Sequence, residues 1–229
     1  MKQAQPRVKI CGMKSHAEIE TAASFGADAV GIITEVPVKT RRKVDLQTAA
    51  ALISKVPLFV KSVMVIMPEN AEHATEMIEF AQPDVIQLHS YLNTREIEKI
   101  RDNTDVQIIK TFQIPVKIAG PVDQATDKIV EKINSFTQNC LIDGVLLDSH
   151  SSAGSGGTGR VHRWDISQKI VQKSEVPVIL AGGLDPSNIS EAVRCVAPYG
   201  VDTASGIETN GEKDREKIEL FIRGARCIE

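Results

Sequence analysis

Short runs of β-branched and apolar residues alternate along this chain with longer stretches in which apolar positions recur every three or four residues. The short runs are Val8 to Cys11, Ala29 to Ile33, Phe59 to Met67, Val85 to His89, Val106 to Thr111, Gly144 to Asp148, Val176 to Ala181 and Val201 to Ala204. The longer stretches are Ser15 to Phe25, Leu46 to Lys55, Glu69 to Phe80, Thr94 to Arg101, Asp123 to Phe136, Asp165 to Lys173, Pro186 to Val196 and Glu212 to Arg226. The first pattern suits a buried strand and the second an amphipathic helix laid across it. Ser15-His16-Ala17-Glu18 adds a helix-start signal, a hydroxyl followed three residues later by Glu. Regular alternation of strand and helix predicts parallel strands joined by crossover helices. Eight such pairs in 229 residues predict an α/β fold, one closed (β/α)8 TIM barrel spanning residues 1–229 and slightly below the usual size for that architecture.

Composition leaves that picture unchanged. With 42% hydrophobic and 25% charged residues the chain can bury a globular core. A formal net charge of -3 gives no general attraction to nucleic acid or to a membrane, so any anionic ligand has to be held by local groups. The amino terminus has no long apolar segment, and the expectation is a cytoplasmic protein with neither membrane nor nucleic-acid partners. Cys11, Cys140, Cys195 and Cys227 are widely scattered and form no C-x-x-C pair, which argues against a metal site and against a disulfide framework. The last three read as small apolar packing residues. Monomer and homodimer are both open at this level.

Barrel enzymes place their chemistry at the carboxyl ends of the strands. Cys11 ends the first run and Asp148 the sixth, although an isolated Asp at such a position is commonly a turn former. Glycine-bearing loops follow the last three runs: Ser149 to Gly159, then Gly182-Gly183, then Ser205-Gly206. Backbone amides in such loops bind phosphate without a lysine or arginine. A phosphate is therefore expected among Gly182, Gly183, Ser205 and Gly206, with Gly157 or a neighbour closing over it. His89 stands two residues after Gln87 and on the same side of the fourth run, which suggests a polar network inside the barrel, with a substrate contact as the second reading. Asp202, in the eighth run, is a further pocket candidate. His16 and His73 read as solvated helix residues, and His150 and His162 as bystanders near the sixth loop.

Taken in order, Lys9-Ile10-Cys11-Gly12, Gln87-Leu88-His89, Leu147-Asp148-Ser149, Gly156-Gly157-Thr158-Gly159 with Trp164, Leu180-Ala181-Gly182-Gly183-Leu184 with Asn188, and Val201-Asp202 with Ser205-Gly206-Ile207-Glu208 resemble the motifs of the phosphoribosylanthranilate isomerase family. They span essentially the whole chain. The resemblance implies a phosphosugar substrate, no cofactor, and an Amadori rearrangement of N-(5-phosphoribosyl)anthranilate to 1-(2-carboxyphenylamino)-1-deoxyribulose 5-phosphate in tryptophan biosynthesis. By the same resemblance Asp148 is the general acid that protonates the ribose ring oxygen, and Cys11 is the base that takes the proton from the neighbouring ribose carbon. An acid role requires burial or nearby negative charge around Asp148, and a base role requires a cation or amide dipole near Cys11. In the family an arginine after the second strand binds the anthranilate carboxylate; Thr40-Arg41-Arg42-Lys43-Val44 puts Arg42 at the matching position, with Arg41 the alternative and a solvated basic loop the plainer reading.

The chain departs from the family pattern at Val63 to Met67, where a Phe is common, at Ser90, where Gly is frequent, and at the basic Arg160 to Arg163. None of these removes an acid, a base or a phosphate loop. Other phosphosugar barrels remain as alternatives. A metal-dependent epimerase would show inward histidine and acidic ligands on several strands, and a histidine-pathway isomerase would favour Asp where Cys11 stands. A catalytically silent phosphosugar-binding protein would keep the glycine loops yet could lose Cys11 or Asp148. Barrels host many chemistries, so fold alone does not decide.

Overall fold

The computed structural model describes residues 5–115, 122–151, 154–155 and 163–227. Eight parallel strands, β1 (Arg7–Cys11), β2 (Ala29–Ile33), β3 (Lys61–Ile66), β4 (Val85–Leu88), β5 (Gln107–Pro115), β6 (Gly144–Ser151), β7 (Val178–Leu180) and β8 (Gly200–Thr203), each pair with the next, and β8 pairs with β1 to close the barrel. Around them lie α1 (His16–Ser24), α2 (Leu46–Ile53), α3 (Ala71–Ala81), α4 (Thr94–Asn103), α5 (Val122–Thr137), α6 (Trp164–Lys173), α7 (Ile189–Val196) and α8 (Arg215–Arg226). The expected (β/α)8 barrel is the observed one. Pairing is uneven around the ring: β5 and β6 run in register from Ile109 opposite Gly144 to Pro115 opposite His150, whereas β7 and β8 meet only at Ile179 opposite Gly200 and Leu180 opposite Val201.

Strand alternation divides the interior in two. Val8 and Ile10 of β1 face outward into the main core between sheet and helices, with Met64, Ile86, Ile97 and Phe221 fully buried there. Truncating one such side chain to Ala costs about 2–5 kcal/mol. The barrel axis holds a smaller cluster around Cys11, Val63, Val65 and Val85. Cys11 and the residues that share its inward face are thereby carried into the barrel.

Helix starts are set by short polar side chains. Ser15 accepts from the Glu18 amide as the sequence predicts, and Asp45, Asn70, Asn93 and Asp214 cap α2, α3, α4 and α8 in the same way. These caps correct the boundaries. The last helix begins at Arg215 rather than Glu212, because Asn210-Gly211 turns the chain with positive φ at both residues and pairs Glu208–Thr209 antiparallel to Glu212–Lys213. Likewise α7 begins at Ile189, since Asn188 is drawn back to donate to the Gly183 carbonyl at 2.9 Å. β5 continues past Thr111 because Phe112 and Ile114 keep the outward apolar alternation.

At the amino-terminal rim, an aspartate directly precedes β2, β4 and β6. Asp28 accepts from the Val8 amide, Asp84 from the Ser62 amide and Asp143 from the Ile108 amide, each the amide of the preceding odd-numbered strand. Each carboxylate stitches two strand starts together. Among the described residues no helix is long and apolar enough to cross a membrane.

Candidate active site

A cavity of about 480 Å³ opens at the carboxyl ends of the strands and is lined by Cys11, Arg42, His89, Asp148, Gly182, Gly183, Asp202 and Ser205, among others. A second cavity, of about 380 Å³, opens at the opposite rim and contains neither Cys11 nor Asp148. Chemistry that needs both groups belongs to the first.

Strand register builds its floor. Lys9 on β1 lies opposite Asp202 on β8, and the buried side chains form an ion pair at 2.9 Å. Burial pulls the Lys9 ammonium down, but Asp202 and the adjacent Cys11 outweigh it, so Lys9 holds its proton above the ordinary lysine range. Burial pushes the Cys11 thiol up, and Asp202 adds to this; Lys9 and Lys213 oppose it. The cation near Cys11 is thus supplied by Lys9 from the layer below and by Lys213 from the hairpin. Gly31 leaves room for the thiol, since a β-carbon there would lie 2.7 Å from the Cys11 sulfur.

Asp148 is buried and lies within β6, which continues past the expected end at Asp148 to Ser151 because its pairing with β5 runs on to His150. Burial first, then the charge of Asp202, push its carboxyl up to about 6, against the Ser149 amide and Lys9, which pull it down. Both conditions named for an acid, burial and a neighbouring negative charge, are met. Asp202 therefore acts on both Cys11 and Asp148, raising both, and is itself tied to Lys9.

Arg42 is half-buried, and its side chain passes over Gly12, whose φ of 83° and lack of a side chain allow the approach: a β-carbon there would lie 2.7 Å from Arg42 Cδ. Its Nε and Nη2 donate to the two oxygens of Glu208 at 2.7 and 2.8 Å. Arg41 is exposed and reaches toward Gly211. Lys213, buried, donates to Glu208 at 2.9 Å and to the backbone carbonyls of Cys11 at 2.7 Å and Ala204 at 2.9 Å. One carboxylate thus holds the Arg42 fork and the lysine that anchors the end of β1. Glu208 entered the sequence reading only as part of a motif and Lys213 not at all; the Asn210-Gly211 turn was the signal that could have paired them.

Gly182, Gly183 and Ser205 bring the loops after β7 and β8 to the same cavity. Gly182 and Gly183 both take positive φ, and a β-carbon at Gly182 would lie 2.2 Å from Ser149 Oγ, so the loop after β7 can pack against the end of β6 only with glycine there. Asn188 and Asp185 brace that loop through the Gly183 carbonyl and the Asp185 and Ser187 amides. Ser205 lines the cavity, whereas Gly206 serves the packing: a β-carbon there would sit 2.0 Å from the Leu184 carbonyl oxygen. Gly157, with the rest of 156–162, lies outside the described residues.

His89 lines the cavity, and burial, with Lys9 and Lys110 nearby, lowers it to about 4, leaving the imidazole neutral. The expected network with Gln87 is not formed: Gln87 Oε1 is buried without a hydrogen-bond partner among the described residues. Among the described residues no group of three or more His, Cys, Asp or Glu side chains is placed to hold a metal ion.

Comparison with known proteins adds the family. A family model described as N-(5'phosphoribosyl)anthranilate (PRA) isomerase matches residues 8–224. The N-(5'-phosphoribosyl)anthranilate isomerase of Methanosarcina acetivorans is 50% identical over 222 residues, covering 96% of this chain and 93% of that one. The solved structure of the isomerase from Pyrococcus furiosus is 29% identical, with a TM-score of 0.83, covering 97% of this chain and 100% of that one. A phosphoribosyl anthranilate isomerase solved in complex with reduced 1-(o-carboxyphenylamino)-1-deoxyribulose 5-phosphate is 25% identical, with a TM-score of 0.75 and coverage of 96% and 98%. Motif order, barrel and near-complete coverage agree, and the chain belongs to the N-(5'-phosphoribosyl)anthranilate isomerase family.

Proposed function

We propose that this chain catalyses the Amadori rearrangement of N-(5-phosphoribosyl)anthranilate in tryptophan biosynthesis, with Asp148 as acid and Cys11 as base. The observation that carries the assignment is the placement of a buried carboxyl, raised to about 6, and a buried thiol flanked by two ammonium groups on the wall of one cavity. Protonated Asp148 gives its proton to the ribose ring oxygen as the bond to the anomeric carbon breaks, and the anilino nitrogen supplies the electron pair that forms the iminium. The Cys11 thiolate then takes the proton from the adjacent ribose carbon. The electrons of that C–H bond form the enolamine, which tautomerises to the ketone. Lys9 and Lys213 favour the thiolate, and Asp202 keeps Asp148 from ionising early.

The substrate is bipolar, phosphate at one end and carboxylate at the other, and so is the cavity. The phosphate sits at the amides of Gly182, Gly183, Ser205 and Gly206, which have no acceptor among the described residues. The carboxylate meets Arg42. Glu208 occupies only the Nε/Nη2 edge of that guanidinium, so the Nη1/Nη2 edge is left to receive a carboxylate end-on. Neutral His89 and the buried Asp202 complete the pocket. All these groups come from one chain, so the reading holds for a monomer and for a homodimer alike.

The test is direct: purified protein is mixed with freshly generated phosphoribosylanthranilate and the loss of its fluorescence is followed. Turnover that falls about 10²–10⁴-fold in Cys11→Ala and in Asp148→Asn, and not in Cys140→Ala, supports the assignment. Wild-type inactivity rejects the reaction. Near-normal turnover in either of the first two variants rejects that residue's role.

A further inference from the structure

A third cavity, of about 700 Å³, lies outside the barrel axis between the start of α4, β5 and α5. Its charge is one-sided. Lys110 of β5 points outward on the same face as Ile108 and Phe112, is 5% exposed, and donates to the Ser90 carbonyl with the Phe136 ring 5.9 Å from its ammonium. No carboxylate pairs with it among the described residues. Burial, and Lys132 nearby, lower its proton affinity to about 8, as an ammonium without a counter-charge requires. Lys128 and Lys132, one helical turn apart on α5, line the same cavity and have no carboxylate partner among the described residues. Like charges at that spacing oppose the helix.

Of the three acids of α5, Asp123 pairs with Lys169 and Asp127 with Lys173, both across to α6, and Glu131 pairs with neither Lys128 nor Lys132 among the described residues. Ser90, whose buried hydroxyl has no partner among the described residues, also lines the cavity, as do Asn93 and Thr94 at the start of α4. Phe112 and Phe136 pack edge to face beside them.

We infer that this cavity is a second anion site, built for a small phosphate-bearing ligand held by Lys110, Lys128 and Lys132 and distinct from the substrate phosphate loops. Three cations, one of them nearly buried, suit a dianion, and the apolar wall leaves room for a carbon skeleton. His89 lines both this cavity and the active one, so an occupant would be felt at the catalytic pocket.

The test follows backbone amide resonances of Ser90–Thr94 and Lys128–Phe136 in the full chain while inorganic phosphate is added, with chloride at matched ionic strength as control. Saturable shifts in both segments below about 10 mM, weakened about tenfold or more in Lys128→Ala/Lys132→Ala, support the site. A parallel titration with ribose 5-phosphate identifies the source: tighter binding than phosphate marks an ester resting on Phe112 and Phe136, and equal binding marks the free oxyanion. Absence of saturable shifts in these segments overturns the inference, as does an unchanged dissociation constant in the double variant. The two substituted lysines are exposed, so the variant keeps the fold even where Lys110→Met does not.

Discussion

Asp148 and Cys11 need opposite protonation states for the proposed chemistry, and burial works for one and against the other. It raises Asp148 to about 6, which makes the acid available, and it raises Cys11, which makes the thiolate scarce. The productive pair, protonated Asp148 with ionised Cys11, is therefore a minority form near neutral pH. Its population rises with pH up to about 6, is level until the thiol itself titrates, and then falls. kcat/KM should follow that plateau. In Asp148→Asn the residual rate should lose the break near 6 and climb with pH until Cys11 is ionised, a difference that a pH series of initial rates resolves. Stability should move the other way. A carboxyl raised from the ordinary 3.8 to about 6 stabilises the fold fully below its unfolded value and loses that contribution as pH rises through about 6. Asp148→Asn should consequently melt higher than wild type at pH 8, with the gain gone below about pH 4; paired thermal melts across pH check the sign.

The hairpin after β8 and the aspartates before the even strands illustrate how elements share work. Glu208 holds Arg42 by two hydrogen bonds and Lys213 by one, and Lys213 in turn holds the Cys11 carbonyl. Glu208→Gln keeps the shape but removes the charge. It should raise KM by about 10- to 100-fold, the scale of the 1.5–3 kcal/mol that hydrogen bonds to charged groups contribute, with a smaller change in kcat; steady-state kinetics separates the two. A kcat loss as large as the KM rise would show that the hairpin acts mainly on Cys11. At the opposite rim, Asp84→Ala should cost about 1–3 kcal/mol in urea unfolding, because the Ser62 amide loses its acceptor, and leave kcat unchanged. Burial raises the Asp28 and Asp84 carboxyls, yet amide and side-chain hydrogen bonds from Val8 and Arg7, and from Ser62, outweigh it and lower both. Their stabilisation is present above the unfolded value and is lost as pH falls below it.

At the scale of the molecule, strand and helix order was legible because each element buries enough apolar surface to mark its own period, as Val8 to Cys11 and Ala29 to Ile33 do. Positions of Cys11 and the glycine loops followed from strand ends, whereas β6 runs on beyond Asp148 to Ser151. What the chain did not disclose is pairing at a distance. Arg42 and Glu208 are 166 residues apart, Cys11 and Lys213 202, and nothing local marks them as partners. The rim aspartates precede only even strands, at unequal spacing, so they form no visible repeat. Lys110 lies within the run Val106 to Thr111, and only the alternation of β5 shows that it turns outward.

The uneven ladder around the barrel bears on how the enzyme is opened and shut. β7 and β8 share two registered positions, and these are the strands whose ends carry Gly182-Gly183 and Ser205-Gly206. The wall proposed to receive the phosphate is thus the least firmly laced, while β5 and β6 on another side are joined along most of their length. Thermal fluctuations should part the ring at that seam first. In deuterium exchange, the amides of Val178–Leu184 should trade hydrogen well before those of Ile109–Phe112, and a bound product analogue, by bridging the seam, should slow the former far more than the latter. Uniform exchange around the ring would show instead that the helices, not the ladder, set its weakest line.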